Sequence, residues 1–176
     1  MALLRRIVQP RASASADAFE RILRGVYGAR TKSGTAVTPE TSLQVSAVYA
    51  CVRVLAEDIA AMPLILYRRK PGGGKERATD HPLYRVLRQR ANRRHTAFEF
   101  KETLQGHLGL RGNAYALINR SGGQVRELIP IRPDRVTVQD HGDLTATYKV
   151  EGADREFTDR EILHLRGLST DGLMGL

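Results

Sequence analysis

Five apolar residues, Val48, Val52, Leu55, Ile59 and Met62, recur at steps of four, three, four and three. At 3.6 residues per turn, that spacing lines one side of a helix. Pro63 follows at once, and the residue before a proline is pushed out of the helical region. The spacing therefore predicts a helix from about Leu43 to Ala61. Thr41 and Gln44 have the capping-box spacing, a hydroxyl followed three residues later by an amide. Cys51 falls among Val48, Val52 and Leu55 and is expected as a small buried apolar residue.

Beyond Pro63 the pattern changes. Leu64-Ile65-Leu66-Tyr67 reads as a strand, with Gly72-Gly73-Gly74 as the turn behind it. Asp80 is placed to cap a short helix that has Pro82 in its first turn and carries Leu83, Val86 and Leu87. Thr96-Ala97-Phe98-Glu99 is a second capping box, opening a helix with Phe100, Leu104 and Leu108 at steps of four and Gly112 as its C-terminal stop. Strand-like runs then follow at Ala114–Asn119, Val125–Ile131, Arg135–Gln139 and Thr145–Val150, separated by Ser121-Gly122-Gly123 and His141-Gly142-Asp143. Thr158 and Glu161 have the spacing of a third capping box, before a short helical turn, and Ile162–Leu165 reads as a last strand. Helices followed by a strand meander indicate an α+β fold.

Charge is unevenly placed. The chain of 176 residues carries a net charge of +9, which by itself suggests a nucleic-acid partner. Residues 1–37 hold seven Lys/Arg against Asp17 and Glu20, and residues 68–94 hold ten against Glu76 and Asp80. The rest is mildly acidic. Residues 1–40, with Gly, Ser and Pro throughout, read as a flexible basic arm; residues 41–176 form the α+β body. The longest apolar stretch, Ile59 to Tyr67, is broken by Pro63 and too short to span a bilayer.

Catalytic patterns are missing. A single cysteine excludes an internal disulfide framework and a cysteine-based zinc cluster. No two of His81, His95, His107, His141 and His164 stand three to five residues apart, so no local metal pair forms. His107 is expected as a hydrogen-bonded structural histidine. Gly72-Gly73-Gly74-Lys75 has a superficial likeness to a phosphate loop, but Glu76 follows the lysine, and the pattern suits a hairpin turn. Glu57 and Asp58 are neighbours on a helix and point about 100° apart, which makes a poor carboxylate pair. The expectation is a protein with no catalytic residues, no metal and no cofactor. The candidate contact residues are Arg85, Arg88, Arg90, Arg93 and Arg94, which crowd the short helix and its exit. They suit a subunit contact, a nucleic-acid contact or plain solvation, and no aromatic residues interleave them for base stacking.

Several strings occur in a set order. They are Val45-Ser46-Ala47-Val48-Tyr49-Ala50-Cys51-Val52-Arg53-Val54-Leu55-Ala56-Glu57, Ala61-Met62-Pro63-Leu64, Asp80-His81-Pro82-Leu83-Tyr84 and Thr96-Ala97-Phe98-Glu99-Phe100. Leu110-Arg111-Gly112-Asn113-Ala114-Tyr115-Ala116, Pro133-Asp134-Arg135-Val136 and the run from His164 to Leu176 continue the order. Together they resemble the N-terminal part of the portal proteins of long-tailed phages, which also occur in prophages and gene transfer agents. The resemblance implies a dodecameric ring at one capsid vertex, a structural channel for double-stranded DNA in packaging and ejection. It also implies docking of the packaging ATPase (the terminase large subunit) and of the head-tail connector, with the major capsid protein around the ring. The implied location is the virion, and the bacterial cytoplasm during assembly. Relatives of that family are longer and continue into stem, clip and crown, so this chain is expected to match part of the wing. The alternative expectation is a stand-alone basic nucleic-acid-binding domain.

Overall fold

A computed structural model describes residues 38–142 and 145–176. The expected basic arm falls mostly on residues 1–37, outside the described residues. The described residues fall in two units, with the boundary between Tyr49 and Ala50. In the first, one helical turn α1 (Pro39–Ser42) is capped by Thr38, whose hydroxyl accepts from the Thr41 amide at 3.2 Å. Thr41 therefore serves as the N3 partner of that turn and does not cap the long helix, which begins later than expected, as α2 (Ser46–Ala61).

α2 stops where Pro63 requires. Its cover differs from the sequence expectation. Ala56 and Ala60 are buried, while Leu55 is 58% exposed and Ile59 and Met62 are also exposed. Cys51 is exposed. An apolar stripe tells that a helix has a face to bury and not that this segment of chain supplies the cover. The extended residues after Pro63 pair later than expected: β1 (Tyr67–Arg69) and β2 (Lys75–Arg77) form a hairpin closed by the triple glycine, with Gly73 and Gly74 at positive φ.

The body of the second unit has three layers. α3 (Pro82–Arg88) and α4 (Ala97–Arg111) lie on one face of a three-stranded antiparallel sheet ordered β4-β3-β8, with β3 (Asn113–Ser121) between β4 (Gln124–Ile131) and β8 (Ile162–Arg166). A second antiparallel sheet, β5 (Val136–Asp140), β6 (Ala146–Val150) and β7 (Glu156–Thr158), covers the other face. Strand β3 shows why. Its side chains alternate, so Ala114, Ala116 and Ile118 meet the helix-side core of Val86, Phe100, Leu104 and Leu128. Tyr115 and Leu117 meet the other core, with Tyr148, Ile162 and Phe157. The small alanines on the helix side leave room for Phe100.

The helix ends follow their local chemistry, with two corrections. Thr96 and Glu99 close the reciprocal capping box of α4, and Gly112 ends it in the left-handed region at φ 66°. The cap of α3 is His81, not Asp80: its Nδ1 accepts from the Leu83 amide at 3.2 Å. Asp80 is engaged elsewhere, accepting from Arg68 at 2.8 Å. Thr158 and Glu161 do bond as a box, the Thr158 amide donating to Glu161 at 3.1 Å. No helix follows, because Ile162 enters β8 directly. The Thr158–Glu161 pair instead fixes the turn between β7 and β8.

Candidate functional site

The arginine-rich segment is built on a stiff support. On α3, Val86 is buried and Leu83 and Leu87 pack on the core, which leaves Arg85 and Arg88 outward. Behind the helix, residues 89–97 close on themselves: Arg90 bridges Thr96, and the Ala97 amide donates to the Gln89 carbonyl at 3.0 Å. Asn92, 7% exposed, holds the loop to β4. Its Nδ2 donates to the Leu128 carbonyl at 2.7 Å, and its Oδ1 accepts from the amides of Arg94 and His95, both at 2.9 Å. The Leu128 amide donates in turn to the Ala91 carbonyl at 2.8 Å. Arg90 is oriented by donating to the carbonyls of Asn92 (3.2 Å) and Arg93 (3.0 Å).

The facing wall comes from β4. There Asn119 pairs with Glu127 and Arg120 with Val125, so Arg126 is the extra residue of a β-bulge. Without the bulge, simple alternation would put Arg126 on the same face as Leu128. The bulge shifts the phase, so Val125 packs on the core with Leu128 and Arg126 is exposed.

Arg85, Arg90, Arg93 and Arg126 line one cleft of about 580 Å³, together with Asp80, His81, Asn92 and Glu127. Its carboxylates are partly engaged. The Arg68 guanidinium holds the Asp80 carboxyl below the usual carboxylate range. Glu127 accepts from Asn119 at 3.0 Å and lies 3.8 Å from Arg93, itself 95% exposed. So loose a surface pair contributes little. Among the described residues, Arg85 and Arg126 have no ion pair. The cleft is an anion-attracting recess with four guanidinium groups drawn from three elements.

Of the five arginines singled out in the sequence, the structure brings Arg85, Arg90 and Arg93 together. Arg88 and Arg94 do not line the cleft; Arg88 lies near Lys101 of α4, whose pKa is lowered first by burial and then by that neighbour. Arg126 was not foreseen, because nothing in Gln124-Val125-Arg126-Glu127 marks a bulge.

A second polar cluster is buried between the sheets. Asn113, 5% exposed, accepts at Oδ1 from the Gly175 amide (2.8 Å) and pairs with His164 Nε2 at 3.0 Å. Since that oxygen only accepts, Nε2 carries the proton. His164 stacks on Tyr115 with ring centroids 4.4 Å apart, and its Nδ1 is 3.4 Å from the Tyr148 hydroxyl. Burial, with Arg166 nearby, lowers the His164 pKa to about 4, so the ring is neutral near pH 7. Burial also raises the pKa of Tyr115. The arrangement ties the C-terminal segment to β3 and offers no nucleophile activated by a base. His107, expected to be hydrogen-bonded, has a buried Nδ1 with no partner among the described residues, and its pKa is lowered by burial. Among the described residues, no group of three or more His, Cys, Asp or Glu gathers as a metal site, and no helix is long and apolar enough to cross a membrane.

Comparison with known proteins gives this geometry a context. Residues 46–176 match the family described as phage portal protein. The chain is 32% identical over 145 residues to the portal protein of Enterobacteria phage HK97, covering 81% of this chain and 34% of that protein. It is 30% identical over 170 residues to the probable portal protein of Streptomyces phage phiC31, covering 89% of this chain and 37% of the relative. It thus spans about a third of the length of these two relatives. Among solved structures, it is similar to a chain in the neck of an empty gene transfer agent particle computed with C6 symmetry. That match has a TM-score of 0.59 and 30% identity, and covers 73% of this chain and 35% of the other. A chain in the virion of a native gene transfer agent particle matches with a TM-score of 0.57 and 25% identity, covering 78% and 38%.

Proposed function

Because the chain belongs to the phage portal protein family, we propose that it forms part of a structural ring subunit at one vertex of a virion. In this reading the subunit joins eleven copies of itself in a dodecamer, and double-stranded DNA passes through the ring during packaging and ejection. The terminase large subunit docks on the ring during filling, and the head-tail connector afterwards. The major capsid protein surrounds it. The chain is placed in the wing, in the host cytoplasm during assembly and in the virion when complete. ATP hydrolysis is assigned to the terminase, and the role of this chain is mechanical.

The observation that carries the reading is the combined match of sequence and fold. One continuous family match covers 46–176, and over much of the same stretch the fold is shared at 30% identity with a chain from a particle neck. The three-layer body suits the role. A ring subunit needs a stiff module, and here two cores are built on the two faces of one central sheet. The experiment is gold labelling of an affinity-tagged copy in purified particles. Label at a single vertex per particle is expected. Label spread over the whole shell, or absent from particles, overturns the reading.

A further inference from the structure

We propose that the arginine cleft between α3, the 90–93 loop and the β4 bulge is a docking site for an acidic peptide segment of a protein partner. The inference rests on the cleft itself and stands or falls independently of the ring reading.

Three observations carry it. The first is convergence. Arg85 comes from a helix, Arg90 and Arg93 from a loop, and Arg126 from a strand, yet all four line one recess of about 580 Å³. A solvated charge run on one helix face would not draw in Arg126, whose direction is set by a bulge. Bulges are recurrent devices for re-aiming a side chain. The second is order. Arg90 is fixed by two carbonyls, and its loop is clipped to β4 through Asn92 and Ala91. A guanidinium held in place in advance loses less freedom when it binds. The third is incomplete neutralisation. Asp80 is occupied by Arg68, and Glu127 meets the cleft arginines only through the loose Arg93 contact. Guanidinium groups pair bidentately with carboxylates, and those of Arg85 and Arg126 have no such partner among the described residues.

The walls favour a peptide over a nucleic acid. Duplex DNA carries a charge about every 1.7 Å of its axis, and its backbone would bring phosphates onto Asp80 and Glu127. No Phe, Tyr or Trp lines the cleft, and its one ring, that of His81, is held as the cap of α3, so it offers no run of stacking surfaces for single strands. A peptide can space its carboxylates to meet the arginines and leave the two acidic positions opposite neutral residues.

The test is fluorescence anisotropy of the intact chain with a labelled hexaglutamate peptide, and in parallel with a labelled short DNA duplex, at matched salt. The variants are the double substitution Arg85→Ala/Arg126→Ala and, as control, Lys149→Ala, an exposed position on β6 away from the cleft. Arg85 and Arg126 are exposed, so the double variant keeps the fold, which a melting curve verifies. The peptide is expected to bind more tightly than the duplex, and the double variant to weaken it at least about tenfold. Lys149→Ala should leave it within about twofold. Three results would overturn the proposal: unchanged peptide affinity in the double variant, an equal loss in Lys149→Ala, or a duplex that binds at least as tightly and is lost with the same substitutions.

Discussion

Replacing Asn92 by Ala tests whether the 89–97 loop is held as described. The side chain is buried and makes three bonds to backbone: one to the Leu128 carbonyl, and one each from the amides of Arg94 and His95. These do not cost the same when broken. Leu128 is buried, so its carbonyl is left without a partner in a dry place, at about 1–3 kcal/mol. Arg94 is exposed and His95 half-buried; water can reach their amides, and together they add about 1 kcal/mol. The sum is about 2–4 kcal/mol. For a chain of this size, each kcal/mol shifts the melting temperature by about 2–4 °C, so a drop of about 4–16 °C is expected by calorimetry or circular dichroism. Asn92→Asp should not rescue it, because a carboxylate facing the Leu128 carbonyl keeps the acceptor and loses the donor. The same variant should speed hydrogen exchange at the Leu128 amide, which bonds the adjacent Ala91. A change below about 0.5 kcal/mol, the range of ordinary surface substitutions, would refute the argument.

Other outcomes follow from the same structure. Phe100→Ala should destabilise by about 3–5 kcal/mol, read by urea denaturation, because the ring fills the core between α4 and Ala114, Ala116 and Leu128. Gly112→Ala should cost more than the roughly 1–2 kcal/mol of a left-handed alanine, because an added Cβ would overlap the Leu176 backbone. The excess should show as early proteolysis of the C-terminal segment. His164 has a folded pKa of about 4 against an ordinary 6.5, so the neutral ring favours the native state. Its contribution should be complete above pH 6.5 and disappear as pH falls through about 4, and His164→Gln should flatten the melting curve across that window. Arg155 and the Thr158 amide hold the Glu161 carboxylate at a pKa of about 2. Its contribution should therefore be present above about pH 4.5 and lost toward pH 2, and Glu161→Gln should remove that part of the acid sensitivity.

What the sequence could show depended on how local the cause was. The Thr96–Glu99 box, the Gly112 stop and the Pro63 stop act through neighbours a few residues away, and each is where its pattern predicts. The α+β class was legible for the same reason, from helix spacing followed by strand runs. Features that depend on distant partners were not. Both Asp80 and His81 can cap a helix, and the choice turned on Arg68, twelve residues back, drawing Asp80 away. Exposure of Cys51 and Leu55 depends on what covers α2, which no spacing within α2 encodes. The candidate site divided along the same line. Arg85, Arg90 and Arg93 were visible as a cluster in sequence. Arg126 joined them through a bulge, and Asn92 held them through a bond to residue 128, each set by tertiary pairing.

The ring is the central claim, and native mass spectrometry of the longest natural product carrying this chain tests it most directly. At the concentrations used for assembly, a single closed species of twelve identical copies is predicted. A monomer that persists at those concentrations would contradict it.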